Sequence, residues 1–273
     1  MRPALVAWLG DLMTAAEEFA ALLTRSEADA RVLGVVLSGS QAREGAATAY
    51  SDYDVLLVVT DEAEGQLPTE HRRDARLDVS TMPLHEFRTH ALPESGSEWN
   101  RYAFRDAKIL KDTADGLIAG LAAAKAQLTP AEAARLAPAV LDAFLNSVYR
   151  CLKNARDGNT IGTLLDGAEA IPQYLTYIFA LDNRVRPYNK YLAWELEHHP
   201  LPHPEWSYDN LVRRLAQAHS DDAPQALRSL LVELEPHART AGHGRVLDDW
   251  GDDLTFMRGS ATTPYDGQPH ATR

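Results

Sequence analysis

Two apolar runs joined by a short polar hinge constrain this chain more than any other stretch. Val32 to Leu37 is apolar, Ser38-Gly39-Ser40 interrupts it, and Ser51-Asp52-Tyr53-Asp54 leads into a second apolar run from Val55 to Val59. The first run predicts a strand. The Gly-Ser pair predicts a turn into a short helix over Ser40 to Glu44, with Gly45 helping to end it. Asp52 to Val59 predicts a second strand, apolar enough to be central. Alternate strand residues point the same way, so Asp52 and Asp54 project from one face of the sheet. Two carboxylates held that close repel each other, and a divalent cation between them is the usual reason to keep both. A turn leading into a helix offers backbone N–H groups that suit a phosphate. Metal beside phosphate points to nucleotide chemistry.

A third acidic residue joins them. Asp61 to His71 is polar and turn-rich, and Arg76 to Thr81 then reads as a third strand. In it Leu77 and Val79 face the core, while Arg76, Asp78 and Ser80 face the other way. If this strand pairs beside the second, Asp78 lies near Asp52 and Asp54. Three acidic groups suit one or two magnesium ions gripping a triphosphate, with in-line displacement at its α-phosphorus. Asp78 has a second candidate task, taking the proton of an attacking hydroxyl. Gly39 and Ser40 would hold the β- and γ-phosphates through a backbone N–H and a hydroxyl. Arg43, one turn on, either reaches a terminal phosphate or is a solvated surface arginine. Ser51 caps or orients the aspartates rather than reacting.

Elsewhere in this half, Leu5, Trp8, Leu9, Leu12, Ala16, Phe19 and Leu23 recur at helical spacing, so an amphipathic helix is expected over Ala4 to Thr24. Pro83 to Arg88 predicts one or two helical turns, Ala107 to Leu110 a fourth strand, and Ala114 to Gln127 a helix. Composition changes at Thr129-Pro130, a helix start with Glu132 placed for a capping box. Beyond it the chain reads as helical. Leu136, Val140, Phe144, Val148, Leu152 and Ala155 line one face of a long helix that Gly158 ends. Ile161, Leu164, Leu165, Ala168, Leu175, Ile178 and Phe179 continue the pattern, with a kink expected at Pro172. Further helices are expected over Tyr188 to His198, Tyr208 to His219, Ala223 to Ala238 and Leu247 to Phe256. The expected fold class is α+β: a small mixed-sheet domain over 1–127, an α-helical bundle domain over 128–257, and a mobile tail over 258–273.

The totals exclude several classes. Charged residues make up 24% and hydrophobic ones 45%, the balance of a soluble globular protein. No apolar run approaches the roughly 20 residues that span a bilayer, and Met1 to Gly10 lacks the features of a signal peptide. A single cysteine, Cys151, leaves no intrachain disulfide and fits a cytoplasmic setting. It falls on an apolar helix face and reads as a small core residue. The formal net charge of −12 opposes a long nucleic-acid polymer and attracts a cationic small molecule. His198, His199 and His203 are not expected to bind zinc together, because neighbouring histidines diverge and the prolines after them prevent helical i,i+4 spacing.

Gly39-Ser40, Arg43, Ser51-Asp52-x-Asp54 and the later Asp78 resemble the signature of the polymerase-β-type nucleotidyltransferase superfamily, across residues 33–81. A minimal catalytic domain ahead of a helical one is most similar to the two-domain aminoglycoside and lincosamide nucleotidyltransferases (adenylyltransferases). That resemblance implies a palm-like mixed sheet, a pair of Mg2+ ions, and ATP or another NTP as co-substrate. It implies transfer of a nucleoside monophosphate to a hydroxyl of a small molecule such as an aminoglycoside-like antibiotic, with release of pyrophosphate. By matching position Asp52 and Asp54 would be metal ligands and Asp78 the third acid, which acts as base in several such enzymes. In the helical half, Lys190 or Arg186 either neutralises the triphosphate from the opposite wall of a cleft or, beside Tyr191 and Trp194 at i,i+3, belongs to a packing segment. Asp166, Glu169 and Gln173 form a stripe that either binds the ammonium groups of an amino-sugar or is a solvated face. Two alternatives stay open: the same transfer to a protein or tRNA acceptor, and a non-catalytic nucleotide sensor.

Overall fold

The computed structural model describes residues 13–67, 71–220 and 222–259. The chain divides between Leu128 and Thr129 into two compact units. The fold is α+β, with one mixed sheet in the first unit and helices throughout the second. The expected helical stretch before Met13 and nearly all of the expected tail lie outside the described residues.

In the first unit, helix α1 (Ala15–Ala28) opens on a capping box. Glu17 N donates to the Thr14 hydroxyl at 3.2 Å, and Thr14 N donates to the Glu17 carboxylate at 2.7 Å. Strand β1 (Val32–Ser38) runs directly into a one-turn helix, α2 (Gly39–Ala42). Then come β2 (Tyr53–Val59), β3 (His71–Arg73), β4 (Leu77–Pro83) and β5 (Lys108–Asp112). Among the described residues these strands form one sheet in the order β3-β4-β2-β1-β5. β2 and β4 are parallel, and the other pairs are antiparallel. β2 is central, as its apolar run predicts. β3 corrects the expectation of an irregular stretch up to His71. An edge strand needs only backbone pairing, here with Asp78 to Ser80, and tolerates charged side chains.

Alternation along the strands builds two cores. Val35, Leu37, Val55, Leu57, Leu77 and Val79 pack with Leu22 of α1 on one face. Val36 and Val58 pack with Phe87, Phe104, Ile118 and Ala122 on the other. These last side chains come from α3 (Leu84–Thr89), a 3-10 segment over Glu98–Phe104 and α4 (Leu117–Ala126). The 3-10 segment has no counterpart in the sequence expectation. Phe87, Phe104 and Ile118 each contribute about 1.5–3 kcal/mol when fully buried. Gly34 is required by this packing, since a Cβ there would stand 2.8 Å from Ile118 Cγ2.

Lys125 of α4 is fully buried, and its Nζ lies 4.6 Å from the Phe87 ring centroid with no hydrogen-bond acceptor among the described residues. Burial, and secondarily the Arg101 charge, pushes its pKa down from 10.5 to about 8. Between those two values the unfolded chain holds a proton that the folded chain has lost, so stability rises with pH across that window. Below it both states are charged, and the desolvation of the ammonium outweighs its contact with the Phe87 ring. Lys125→Met is therefore expected to stabilise the protein near pH 7 by about 1–3 kcal/mol and to abolish the alkaline rise. Urea melts at neutral pH and near pH 10 check both parts.

The second unit begins at a second capping box. Glu132 N donates to Thr129 Oγ1 at 3.2 Å, and Thr129 N donates to Glu132 Oε2 at 2.6 Å. Helix α5 (Pro130–Arg156) has 27 residues and so extends about 40 Å. After it, Gly158 turns the chain with φ +73°, and Asn159 caps α6 (Thr160–Leu181) by accepting from Gly162 N at 3.1 Å. α6 runs through Pro172 as one helix. The buried stripe of α5 includes Phe144, Val148 and Leu152 as expected. Cys151 is buried as expected too, but the stripe is turned to take in Ala137, Leu141 and Leu145, leaving Ala155 exposed. Burial pushes the Cys151 thiol up to about 11, with the Asp166 charge adding to it, as befits an inert core residue.

The first half of α6 departs further from expectation. Ile161, Leu164 and Leu165 are exposed, while Thr163, Asp166, Gly167 and Ala170 are buried. Polar pairing holds that face inward: Asp166 meets Arg150 at 2.8 Å and accepts from Asn154 Nδ2 at 2.6 Å, and Gly167 lies beside Cys151. The remaining helices are α7 (Leu192–His198), α8 (Tyr208–Ala218), α9 (Ala223–Thr240), α10 (Gly244–Asp248) and α11 (Gly251–Arg258). A 3-10 turn over Asn189–Tyr191 precedes α7, and the single helix expected over Leu247 to Phe256 is two. No helix among the described residues is long and apolar enough to cross a membrane.

Candidate active site

The parallel register of β2 and β4 sets Asp54 directly opposite Asp78. On the other side of β2, Ser38 pairs with Asp54. Neighbouring strands lie about 4.8 Å apart, so the end of β1 and the starts of β2 and β4 bring the Gly39 turn and two carboxylates together. Asp54 and Asp78 share a sheet face because paired residues of parallel strands point the same way, and that face is opposite Leu77 and Val79. Asp52 is half-buried just before β2. The ladder already holds there, with Tyr53 N donating to Arg76 O at 3.0 Å.

Gly39 is tied to this carboxylate by geometry. Its φ is +66°, and a Cβ added to it would stand 1.7 Å from Asp54 Oδ2. The Asp54 carboxylate thus occupies the space that any side chain at position 39 would need. Ser40 is fully buried, and its hydroxyl has no hydrogen-bond partner among the described residues. An orphaned buried hydroxyl costs about 1–3 kcal/mol, which an acceptor oxygen would relieve. Ser51 closes the turn ahead of the aspartates: Thr48 N donates to its Oγ at 2.9 Å, and Gln41 Nε2 donates to its carbonyl at 3.4 Å.

Arg43 takes neither place expected of it. It is 3% exposed, donates to Gly39 O at 2.8 Å and Tyr102 O at 3.0 Å, and lies 3.2 Å from Asp106 Oδ2. Its guanidinium also rests 4.7 Å from the Tyr102 ring centroid. Arg43 is therefore a strut between the Gly39 turn and the 98–106 stretch, committed before any phosphate arrives. Its partners Tyr102 and Asp106 are distant in sequence and carry no local signal.

Asp78 pairs with Arg73 Nε at 3.4 Å; Arg73 is 87% exposed and Asp78 33%. A pair that open is worth at most about 1 kcal/mol, so a stronger cation can displace it. Arg72 and Arg76 hold Glu18 of α1, which keeps the Glu18 carboxyl below its usual range, chiefly through the Arg76 hydrogen bond. Those pairs pin β3 and the start of β4 against α1. The three aspartates do not form a closed cage: among the described residues, the His/Cys/Asp/Glu trio whose ligand atoms all lie within 4.8 Å of one another is His203, Glu205 and His237.

In the second unit, Lys190 is exposed, with its Nζ 5.2 Å from the Tyr191 ring centroid. Tyr191 is buried and packs. The acidic stripe does not survive as expected. Asp166 is 3% exposed, pairs with Arg150 at 2.8 Å and accepts from Asn154 Nδ2 at 2.6 Å. It is a clamp between α5 and α6, neither solvated nor free for an acceptor. Glu169 remains exposed, 4.0 Å from Arg150. No protein-family model matches the chain, and no curated protein matches it.

Proposed function

We propose that the first unit catalyses transfer of a nucleoside monophosphate, AMP from ATP in the first instance, to a hydroxyl of a small molecule, releasing pyrophosphate. The observation that carries this reading is the pairing of Asp54 with Asp78 beside a glycine turn that the Asp54 carboxylate covers. Hard oxygen donors on two strands fit magnesium, and the orphaned Ser40 hydroxyl next to Gly39 fits a phosphate oxygen. Asp52, Asp54 and Asp78 would hold Mg2+, which supplies neutralisation of the triphosphate charge.

The chain's own residues do the rest. The Gly39 turn, braced by Arg43, fixes where phosphate oxygens come to rest. Asp78 accepts the proton from the acceptor hydroxyl. The hydroxyl oxygen forms its bond to the α-phosphorus as the bond to the β-phosphate bridging oxygen breaks, and pyrophosphate leaves with that electron pair. Positioning and charge neutralisation supply the rate, as in phosphoryl transfer generally. The net charge of −12 favours a cationic acceptor of the aminoglycoside kind over a nucleic-acid polymer.

Incubation with α-labelled ATP, magnesium and a panel of aminoglycosides and other polyhydroxylated amines is expected to yield a labelled small-molecule product and pyrophosphate. Label appearing only on protein or tRNA would move the acceptor class. Binding without turnover against any acceptor would make the protein a sensor. Asp78→Asn is expected to lower kcat about 100-fold or more while nucleotide still binds. A wild-type rate in that variant removes the base assignment.

A further inference from the structure

We infer that His203, Glu205 and His237 form a binding site for a zinc-class divalent ion in the second unit, separate from the aspartate cluster. The ligand atoms come from two segments, His203 and Glu205 at the start of and within the 3-10 turn Pro204–Trp206 and His237 in α9, and all lie within 4.8 Å of one another. His237 Nε2 already touches Glu205 Oε1. The His203 and His237 rings are 4.3 Å apart, centroid to centroid.

Two properties make this more than an ion pair. First, the rings are held in place: Trp206, 1% exposed, lies 4.7 Å from the His203 ring and 4.8 Å from that of His237. His203 is followed by Pro204 and His237 preceded by Pro236, so the backbone at both ligand positions is stiff. Second, the donor set is specific. Two imidazoles and one carboxylate suit zinc and its neighbours and disfavour magnesium. Tetrahedral zinc ligands at about 2.0–2.1 Å from the ion stand about 3.4 Å from each other, so small side-chain rotations close the trio. Side-chain exposures of 20% for His237 and 24% for Glu205 leave an entry path and a fourth position for water or a ligand group. Once bound, the ion ties the proline-rich stretch after His199 to α9.

The test uses the full chain, stripped with a chelator and titrated with zinc alone against a chromophoric competitor. One zinc ion per chain is expected, and cobalt in its place should give the intense visible bands of a tetrahedral site. His203→Gln and His237→Gln should each weaken zinc binding about 100-fold or more, and Glu205→Gln about tenfold or more. His198→Ala should leave binding unchanged, and so should Asp54→Asn, which separates this site from the nucleotide reading. Helical circular dichroism confirms that each variant is folded. Absence of a stoichiometric ion, a cobalt spectrum of the weak octahedral type, or wild-type affinity in His237→Gln overturns the assignment.

Discussion

Asp54→Asn is expected to lower nucleotidyl transfer about 10³-fold, some 4 kcal/mol of transition-state stabilisation, while changing fold stability by no more than about 1 kcal/mol. What the carboxylate faces decides both numbers. Its strand neighbour in the parallel register is Asp78, so two like charges stand opposite each other across adjacent strands. Such a pair destabilises a sheet by about 0.2–1 kcal/mol. Asparagine keeps the volume and removes the repulsion, so a scaffold role predicts an unfolding penalty and a site role predicts an intact melt with lost turnover. Measuring kcat/KM beside a denaturant melt of the same preparation decides between them. Loss of activity that tracks loss of fold would sink the site.

Gly39→Ala is expected to act on the same carboxylate from the other side. The substitution places a methyl group where Asp54 Oδ2 now lies, 1.7 Å from an ideal Cβ, and holds alanine at φ +66°. The left-handed backbone alone costs about 1–2 kcal/mol. Displacing the carboxylate adds a catalytic loss of about 10²-fold or more, since misplacement by about 1 Å is enough for that. Gly45 is the internal control: its φ is +71°, but nothing lies within 4 Å of a Cβ there. Gly45→Ala should show the backbone strain in its melting curve and keep transfer within about twofold. Equal activity losses in the two alanine variants would mean that backbone strain, and not the displaced carboxylate, governs transfer.

Much of the first unit is legible in the sequence because its signals are local. Strand alternation assigns Leu77 and Val79 to one face and Asp78 to the other, and the Thr129 to Glu132 spacing marks a helix start that the two hydrogen bonds complete. β3 was not legible, because an edge strand of His-Arg-Arg owes its conformation to pairing with β4 and to nothing in its own composition. In the helical half, periodicity identifies α6 as a helix but misjudges its rotation. Leu164 and Leu165 carry the stronger apolar signal, yet the pairing of Asp166 with Arg150 and Asn154 turns the other face inward. Polar partners on α5 decided that face, and no window on α6 contains them.

The sequence by itself determined the strand, the Gly-Ser turn and the Asp-x-Asp entry to β2, because turn chemistry and a two-residue period act within a few residues. Tertiary structure alone decided that Asp78 stands opposite Asp54, that Arg43 is spent as a strut on Tyr102 and Asp106, and that His203 meets His237. Each of those depends on register or packing between segments separated in the chain, and such contacts form only after the entropy of closing the intervening loop has been lost.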